Sequence, residues 1–156
     1  MNATEQKMRK VIYIWEKISD EDARLYRVLG TDGIVNIPGQ IDGHSVSELG
    51  TYCFSRRRLL QADLFSTSLF EDGTEITEKI STDFQFLLDQ NSYLHELSEK
   101  YIQQVQLPAS LRKIGSCAFY NCSKMKELHI ASKLDEIGSD AFMNCLDLTR
   151  IVLHAH

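Results

Sequence analysis

The sequence lacks any apolar run of 18 residues, and it therefore predicts no membrane-spanning helix. Only two of its 156 residues are proline and no low-complexity tract occurs, so no long linker or disordered segment is predicted. The first 15 residues, MNATEQKMRKVIYIW, also lack the apolar core and small-residue cleavage site of a signal peptide. This length and composition fit one domain.

Motifs that carry catalysis are absent as well. The sequence contains no G-x-S-x-G, no phosphate-binding G-x-x-x-x-G-K-[ST], no dinucleotide-binding G-x-G-x-x-G and no H-E-x-x-H. The segment HELSEK at 95–100 supplies a histidine and carboxylates, but a solvated helix face explains it better. We therefore expect neither an enzyme nor a cofactor.

Cysteine is scarce, and its spacing does not suit a metal. Cys53, Cys117, Cys122 and Cys145 form no C-x-x-C pair, and the C-x(4)-C at 117–122 lacks the second half of a zinc site. We predict four free thiols and no metal site.

Positive charge is also limited. The 17 Lys and Arg against 22 Asp and Glu give a net charge of -5 and a pI of about 5.5. The three arginines at 56–58 form a local basic edge without an accompanying aromatic groove. Nucleic acid is therefore not an expected partner.

What the sequence does contain is a repeat of 23 residues. Eleven apolar or turn positions align without a gap: Val105, Leu107, Leu111, Ile114, Gly115, Ala118, Phe119, Asn121, Cys122, Met125 and Leu128 fall on Leu128, Ile130, Leu134, Ile137, Gly138, Ala141, Phe142, Asn144, Cys145, Leu148 and Ile151. A fixed period of this length is typical of a solenoid, in which each coil covers the apolar side chains of the next. We therefore expect Phe119 and Phe142 to lie in register inside adjacent coils.

The stretches ELHI and RIVL alternate with a period of two, which predicts short strands. Copies 23 residues apart would pair in parallel as a narrow β-sheet, with the inward residues Leu128, Ile130, Ile151 and Leu153. The outward residues would form two columns, one of Gln104, Glu127 and Arg150 and the other of Gln106, His129 and Val152. These six residues are the predicted partner-binding site, and Glu127 should face Arg150.

Glycine and asparagine mark the predicted turns of each coil. Gly115 and Gly138 follow the second apolar step, where we expect a turn with positive φ because glycine adopts it most easily. Asn121 and Asn144 are expected to bond backbone groups between coils.

The stretch LPASLRKIGSCAFYNCSKMKELHI at 107–130 resembles the BspA-type leucine-rich repeat, whose pattern is close to I-x-L-P-x-S-L-x-x-I-G-x-x-A-F-x-x-C-x-x-L-x-x-I. The resemblance implies an α/β class leucine-rich-repeat solenoid and a binding or adhesion module rather than an enzyme. It also implies a bacterial protein, often secreted or at the cell surface. Because no signal peptide is seen, a cytoplasmic and a surface location both stay open.

A longer copy at 34–55, IVNIPGQIDGHSVSELGTYCFS, resembles the opening repeat of that family, with Gly50 and Phe54 in the places of Gly115 and Phe119. Residues 61–101 depart from the pattern and carry nine Asp or Glu against two Lys. Their apolar spacing favours a helix or irregular coil that substitutes for one repeat, and an acidic docking element is the alternative.

Residues 1–33 fit either a helical face or two β-rich runs joined by a polar turn. We favour a β-hairpin, because the first coil needs a cap over its open apolar end. Trp15 would anchor that cap.

The sequence thus predicts one leucine-rich-repeat domain. Its parts are an N-terminal hairpin cap at 1–33, a first repeat at 34–60, an acidic insertion at 61–101 and two regular repeats at 102–156. The expected function is protein–protein recognition on the open sheet face; a capping or assembly segment of a longer repeat protein is the alternative. The final coil shows no polar cap, which would allow self-association.

Overall fold

The computed structural model of the protein describes residues 8–57, 63–81, 83–131 and 133–154. These residues form short strands and one α-helix. The strands are β1 (Arg9–Lys17), β2 (Asp22–Gly30), β3 (Ile34–Asn36), β4 (Gln40–Ile41), β5 (His44–Leu49), β6 (Leu64–Phe70), β7 (Glu75–Lys79), β8 (His95–Glu96), β9 (Gln104–Leu107), β10 (Lys113–Ile114), β11 (Glu127–Ile130), β12 (Glu136–Ile137) and β13 (Arg150–Leu153). The helix α1 (Phe84–Gln90) lies between β7 and β8, and a 3₁₀ turn at Glu99–Tyr101 precedes β9.

One side of the solenoid is a parallel sheet of four strands in the order β13-β11-β9-β3, which we call the front sheet. Its register places Leu128 between Val105 and Ile151. Val105 and Leu128 are buried between the coils because their side chains alternate with outward polar ones. The predicted narrow parallel sheet is confirmed.

The other side is a sheet of nine strands, the long sheet, whose main path is β12-β10-β5-β2-β1-β6-β7. Strands β5, β10 and β12 pair in parallel across the coils, and β2 pairs in parallel with β5. The antiparallel hairpin of β1 and β2 therefore continues the solenoid, and the predicted N-terminal hairpin cap is confirmed. Trp15 is buried in this cap, where its Nε1 donates to Thr67 Oγ1 over 2.9 Å.

The segment that follows the first coil does not replace a coil, so that expectation was wrong. Strand β3 pairs directly with β9 and β5 with β10, which stacks the coil at 34–55 on the coil at 102–123. Strands β6 and β7 instead form a hairpin that widens the long sheet beyond β1. This hairpin enlarges the long sheet at the N-terminal cap, while the stack of coils stays continuous.

The predicted helix in this segment exists, but it has only seven residues. Asp83 begins it by accepting a hydrogen bond from the Phe86 amide over 2.7 Å. Its apolar residues pack on a second, smaller core on the outer face of the hairpin cap, formed by Ile12, Ile14, Tyr26, Leu29 and Leu94. Among the described residues, therefore, no helical segment meets the length and hydrophobicity that a bilayer span requires.

A stack of phenylalanines runs through the main core. The rings of Phe54 and Phe119 lie 5.1 Å apart at an angle of 10°, and those of Phe119 and Phe142 lie 5.2 Å apart at 6°. The predicted register of the coils is thereby confirmed, because identical positions of successive coils meet face to face.

The expected positive φ at Gly115 and Gly138 was wrong, since neither glycine has it. A Cβ at Gly115 would lie 2.6 Å from the Leu49 carbonyl oxygen, and one at Gly138 would lie 2.4 Å from the Ser116 nitrogen. Glycine is needed here because the backbones of adjacent coils approach too closely for a side chain.

Positive φ occurs further along each turn instead, at Tyr52, Cys117 and Asp140 and at Asn121 and Asn144. The two asparagines bond each other rather than backbone groups: Asn144 Nδ2 donates to Asn121 Oδ1 over 2.9 Å. A side-chain hydrogen bond therefore joins the turns of the last two coils.

Candidate binding surface

The outer face of the front sheet carries the side chains that alternate with the buried apolar side chains of its strands. Pairing of β9, β11 and β13 places Gln104, Glu127 and Arg150 side by side, and Gln106, His129 and Val152 beside them. All six predicted site residues thus share one face in the predicted register. Their role in binding stays a prediction.

Strand β3 adds one further residue to each column. Ile34 lies beside Gln104 and Asn36 beside Gln106, so each column spans four strands. Ile34 and Asn36 are exposed. The outer face is therefore polar at its centre and apolar at one corner.

An ion pair joins the first column across β11 and β13. Arg150 Nη1 lies 3.2 Å from Glu127 Oε1, as expected, and the Arg150 side chain is 70% exposed against 23% for Glu127. An exposed pair of this kind contributes little to stability. The guanidinium remains available to a partner, because most of its surface faces solvent.

The same carboxylate also fixes a histidine. Glu127 Oε2 lies 3.0 Å from His129 Nε2, and His129 Nδ1 lies 3.0 Å from His154 Nε2. An ionised carboxylate only accepts hydrogen bonds, so His129 Nε2 must carry the proton and a neutral His129 must accept at Nδ1. In that neutral state His154 donates from Nε2, and a chain of hydrogen bonds runs from His154 through His129 to Glu127.

The hydrogen bond from His129 lowers the pKa of Glu127 below its usual value. Partial burial opposes this effect, and the charge of Arg150 adds to it. Glu127 is therefore ionised at neutral pH and held in one position by two neighbours. A carboxylate fixed in this way needs little reordering when a partner donates to it.

His154, like Ile34 and Asn36, belongs to this surface but was not among the residues predicted from the sequence. The alternation of β13 provides the signal, because residues 150, 152 and 154 fall on the same side of one extended segment. His154 also continues the backbone pairing, since its amide donates to the Ile130 carbonyl over 3.0 Å.

Other candidates from the sequence do not assemble into sites. His95 stacks on Tyr101 with ring centroids 5.7 Å apart, and Glu96 lies 3.5 Å from the buried Arg27. Arg57 lies over the Tyr52 ring, while the arginine at 58 falls outside the described residues. Across the described part of the chain, no group of three or more His, Cys, Asp or Glu could hold a metal ion.

All four cysteines are free thiols. Burial raises the pKa of Cys53 to about 12, although the charge of Arg27 partly opposes it. Burial also raises the pKa of Cys122, whose Sγ donates to the Phe54 carbonyl over 3.3 Å. These two thiols are packing groups rather than nucleophiles.

Residues 91–156 match the family model described as "BspA type Leucine rich repeat region (6 copies)". This match confirms the resemblance predicted from the stretch at 107–130. No curated protein matches the sequence significantly.

Among solved structures, the chain is similar to a leucine rich cell surface protein from Faecalibacterium prausnitzii A2-165. The TM-score is 0.57 at 22% sequence identity, and the aligned part covers 90% of this chain. It covers only 30% of that protein, so the chain spans less than a third of its length. At this identity the similarity shows the fold alone, a leucine-rich-repeat solenoid.

Proposed function

The chain carries BspA-type leucine-rich repeats over residues 91–156, and we propose that it is a non-enzymatic scaffold that binds a protein partner through the outer face of its front sheet. The observation that carries the proposal is the alignment of Gln104, Glu127, Arg150, Gln106, His129 and Val152 in two columns. Their side chains can vary without disturbing the buried apolar side chains, which is how repeat proteins present binding surfaces.

The electrostatics of the face support a protein rather than a small molecule as the ligand. Glu127, His129 and Arg150 offer fixed acceptors and donors on a flat sheet surface, and flat polar surfaces with one exposed arginine suit protein interfaces. Arg150 is the expected hot spot, because arginine forms bidentate bonds with carboxylates. We include in the proposal an adhesion-type role at a cell surface, since the similar solved structure is that of a cell surface protein.

A charge exchange tests this proposal. Glu127→Lys with Arg150→Glu keeps an ion pair between β11 and β13 but reverses both charges seen by a partner. Lys113→Glu with Glu136→Lys is the matched control, because Lys113 and Glu136 also pair across neighbouring coils, at 3.1 Å, but on the long sheet.

A photo-crosslinking residue at Gln106 would first capture the partner in cells that express the protein, and binding of the purified partner would then be titrated. We expect the exchange on the front sheet to weaken binding about tenfold or more and the control to leave it unchanged. Equal affinity of both variants would place the binding site elsewhere.

A second candidate function, assembly, is favoured by the apolar face of the last coil. Ile151 is 56% exposed and Ile137 52%, although Leu128 and Ile114 at the same positions of the preceding coil are buried, and Leu153 and Leu146 are 74% and 78% exposed. No other part of the described chain covers this face. It could pair with a second copy of the chain or with further coils, and either would make the protein an assembly segment.

Sedimentation velocity over a concentration series tests self-association. Ile137→Glu should shift an oligomer towards monomer, and Ile76→Glu, at a residue 46% exposed on the distant strand β7, is the matched control. A wild-type protein that stays monomeric at high concentration, or an oligomer that only Ile76→Glu disrupts, would contradict self-association through the last coil.

A further inference from the structure

The N-terminal cap extends only one of the two sheets of the solenoid. In the long sheet, β2 lies beside β5 and continues the pairing into the hairpin. In the front sheet, β3 pairs with β9 on one side and with no described strand on the other. The front sheet therefore has a free edge beside the cap.

The backbone bonds of β3 show which groups face this edge. The Gly33 carbonyl accepts from the Gln104 amide over 3.2 Å, and the Ile37 amide donates to the Gln106 carbonyl over 3.1 Å, so residues 33, 35 and 37 face β9. Because successive residues of a strand point their amides and carbonyls to opposite sides, those of 34 and 36 face away.

One of these outward groups already has a partner within the chain. The Ile34 amide donates to Asp32 Oδ1 over 3.0 Å. The Ile34 carbonyl and both backbone groups of Asn36 have no hydrogen-bond partner among the described residues. Asn36 can therefore exchange two hydrogen bonds with a single residue of an added strand.

A groove of about 310 Å³ lies along the same edge. Val11, Tyr13 and Leu69 of the cap form its apolar wall, while Ile34 and Asn36 form the wall on the β3 side. Val11 and Leu69 are half-buried, and Ile34 is 48% exposed. The groove thus offers apolar contact beside unpaired backbone groups.

Two side chains give the groove further polarity. Lys10 lies at its rim, is exposed and has no ion-pair partner in the described part of the chain. Burial raises the pKa of Tyr13, and the charge of Glu75 raises it further, so the phenol stays neutral. A ligand here would meet the positive charge of Lys10, the carboxylate of Asp32 at the β3 end and a neutral hydroxyl beside the apolar side chains.

We propose that β3 is a docking edge for an extended peptide segment of another protein, which adds to the front sheet as its fifth strand. The segment pairs with Asn36, places an apolar side chain against Val11 and Leu69, and brings a carboxylate to Lys10. Main-chain bonds supply affinity and the groove supplies selectivity, as in other cases of strand addition. This site uses the sheet edge and shares Ile34 and Asn36, but none of the six predicted contact residues, with the outer face proposed above.

A second copy of the chain fits this edge less well than a peptide. The cap forms one wall of the groove, so an identical edge would have to bring its own hairpin into the same space. The exposed part of β3 is also short, because Pro38 lacks an amide and cannot extend the pairing. A single extended segment has neither difficulty.

The test uses the whole protein and a displayed library of random twelve-residue peptides. Enriched peptides would be synthesised and titrated by fluorescence anisotropy against the wild type, Asn36→Pro and Asn36→Ala. Asn36→Pro removes the outward amide at an edge position where proline is tolerated, and Asn36→Ala keeps the amide while removing the side chain. Thermal unfolding would confirm that both variants fold.

We expect Asn36→Pro to weaken peptide binding about tenfold or more and Asn36→Ala to change it less than about threefold. Leu69→Lys should also weaken binding, which keeps the proposal testable if Asn36→Pro does not fold. A peptide methylated on the amides that face β3 should lose binding, whereas methylation of the alternate amides should not.

Three outcomes would overturn the proposal. The first is a library that yields no binding peptide, and the second is equal binding to wild type, Asn36→Pro and Leu69→Lys. The third is a wild-type dimer that Asn36→Pro converts to monomer, since a second copy would then occupy the edge.

Discussion

The phenylalanine stack shows how much one residue's contribution depends on its place in the solenoid. Phe54 and Phe119 are fully buried, whereas Phe142 is only partly buried because no described coil covers its far side. Removing a fully enclosed ring leaves a cavity, while the site of a partly exposed ring can fill with water.

We therefore expect Phe119→Ala to lower the free energy of unfolding by about 3 to 5 kcal/mol. Phe142→Ala should lower it by roughly half as much, since the Phe142 ring is only partly buried. Urea unfolding followed by circular dichroism measures both. Equal losses would mean that something covers the last coil in solution.

The cysteines should differ in reactivity. Cys53 and Cys122 are fully buried with raised pKa values, whereas Cys117 is partly exposed. In native protein at pH 8, a thiol reagent should label Cys117 first and leave Cys53 and Cys122 unlabelled until the chain unfolds. Cys117→Ser should remove the fast phase of labelling; a fast phase that survives this substitution would contradict the assignment.

Glu127 should link the stability of the front sheet to pH. Its pKa is lower in the folded protein than the usual 4.5, so folding favours the ionised form. The resulting stabilisation is complete above pH 4.5 and is lost as the pH falls below it, through the folded value. We expect Glu127→Gln to be less stable than wild type at pH 7 and the difference to shrink between pH 5 and 3. Thermal melts across this range measure it, and a difference independent of pH would exclude the linkage.

At the scale of elements, the turn after each long-sheet strand combines two opposite demands on the backbone. Position 138 requires glycine because of close approach, and position 140 holds an aspartate at a φ of 58°. A residue other than glycine loses roughly 1 kcal/mol or more in this left-handed conformation.

Substitutions at positions 138 and 140 should therefore change the stability of the protein in opposite directions. Asp140→Gly should stabilise the protein by up to about 1 kcal/mol, because glycine adopts the left-handed conformation without strain. The greater conformational entropy of glycine in the unfolded chain offsets part of this gain. Gly138→Ala should destabilise it by about 1 to 3 kcal/mol, since a methyl group would press on the Ser116 backbone. The two melting temperatures relative to wild type give the test, and shifts in the same direction would refute it.

The elements that could be predicted from the sequence are those that recur with the 23-residue period. The front strands β11 and β13 and their two outward columns follow from alternation over four residues plus the period. Strands β10 and β12 escaped prediction because two residues are too few to show alternation. The β6–β7 hairpin escaped because Ser66, Thr67 and Ser68 are buried polar residues, which hide the apolar signal.

The candidate binding surface could likewise be predicted only in part. Glu127 and Arg150 could be paired from the sequence because identical positions of successive coils must meet. The hydrogen bonds through His154 and the groove beside β3 could not, because they depend on where the chain passes after β13 and on how the cap packs. Contacts between a repeat and a non-repeating segment leave no periodic pattern in the sequence from which they could be predicted.

At the scale of the whole molecule, one buried arginine joins the cap, the first coil and the following segment. Arg27 is 1% exposed, donates to the carbonyl oxygens of Ser55 and Arg57, and lies 3.5 Å from Glu96. A buried cation with several partners holds these segments in one arrangement, and its removal leaves their polar groups unpaired.

Arg27→Met should lower the free energy of unfolding by roughly 3 kcal/mol, because it leaves two carbonyl oxygens and a carboxylate without their arginine partner. Hydrogen exchange should show faster exchange in β2 and β8 than in β9 and β11, since the loss lies at the cap. Arg24→Met, which breaks the more exposed pairs with Glu16 and Glu48, is the control with a smaller effect. Uniform acceleration across the chain would argue against a local role.

The direct stacking of the coil at 34–55 on the coil at 102–123 also sets an order for folding. Phe119 meets Phe142 across 23 residues of chain, but it meets Phe54 across 65. Closing the longer loop costs about 0.9 kcal/mol more in chain entropy, and distant contacts form more slowly. During synthesis the first coil therefore leaves the ribosome long before its neighbour exists, and Phe54 has to wait for the second coil to cover its ring.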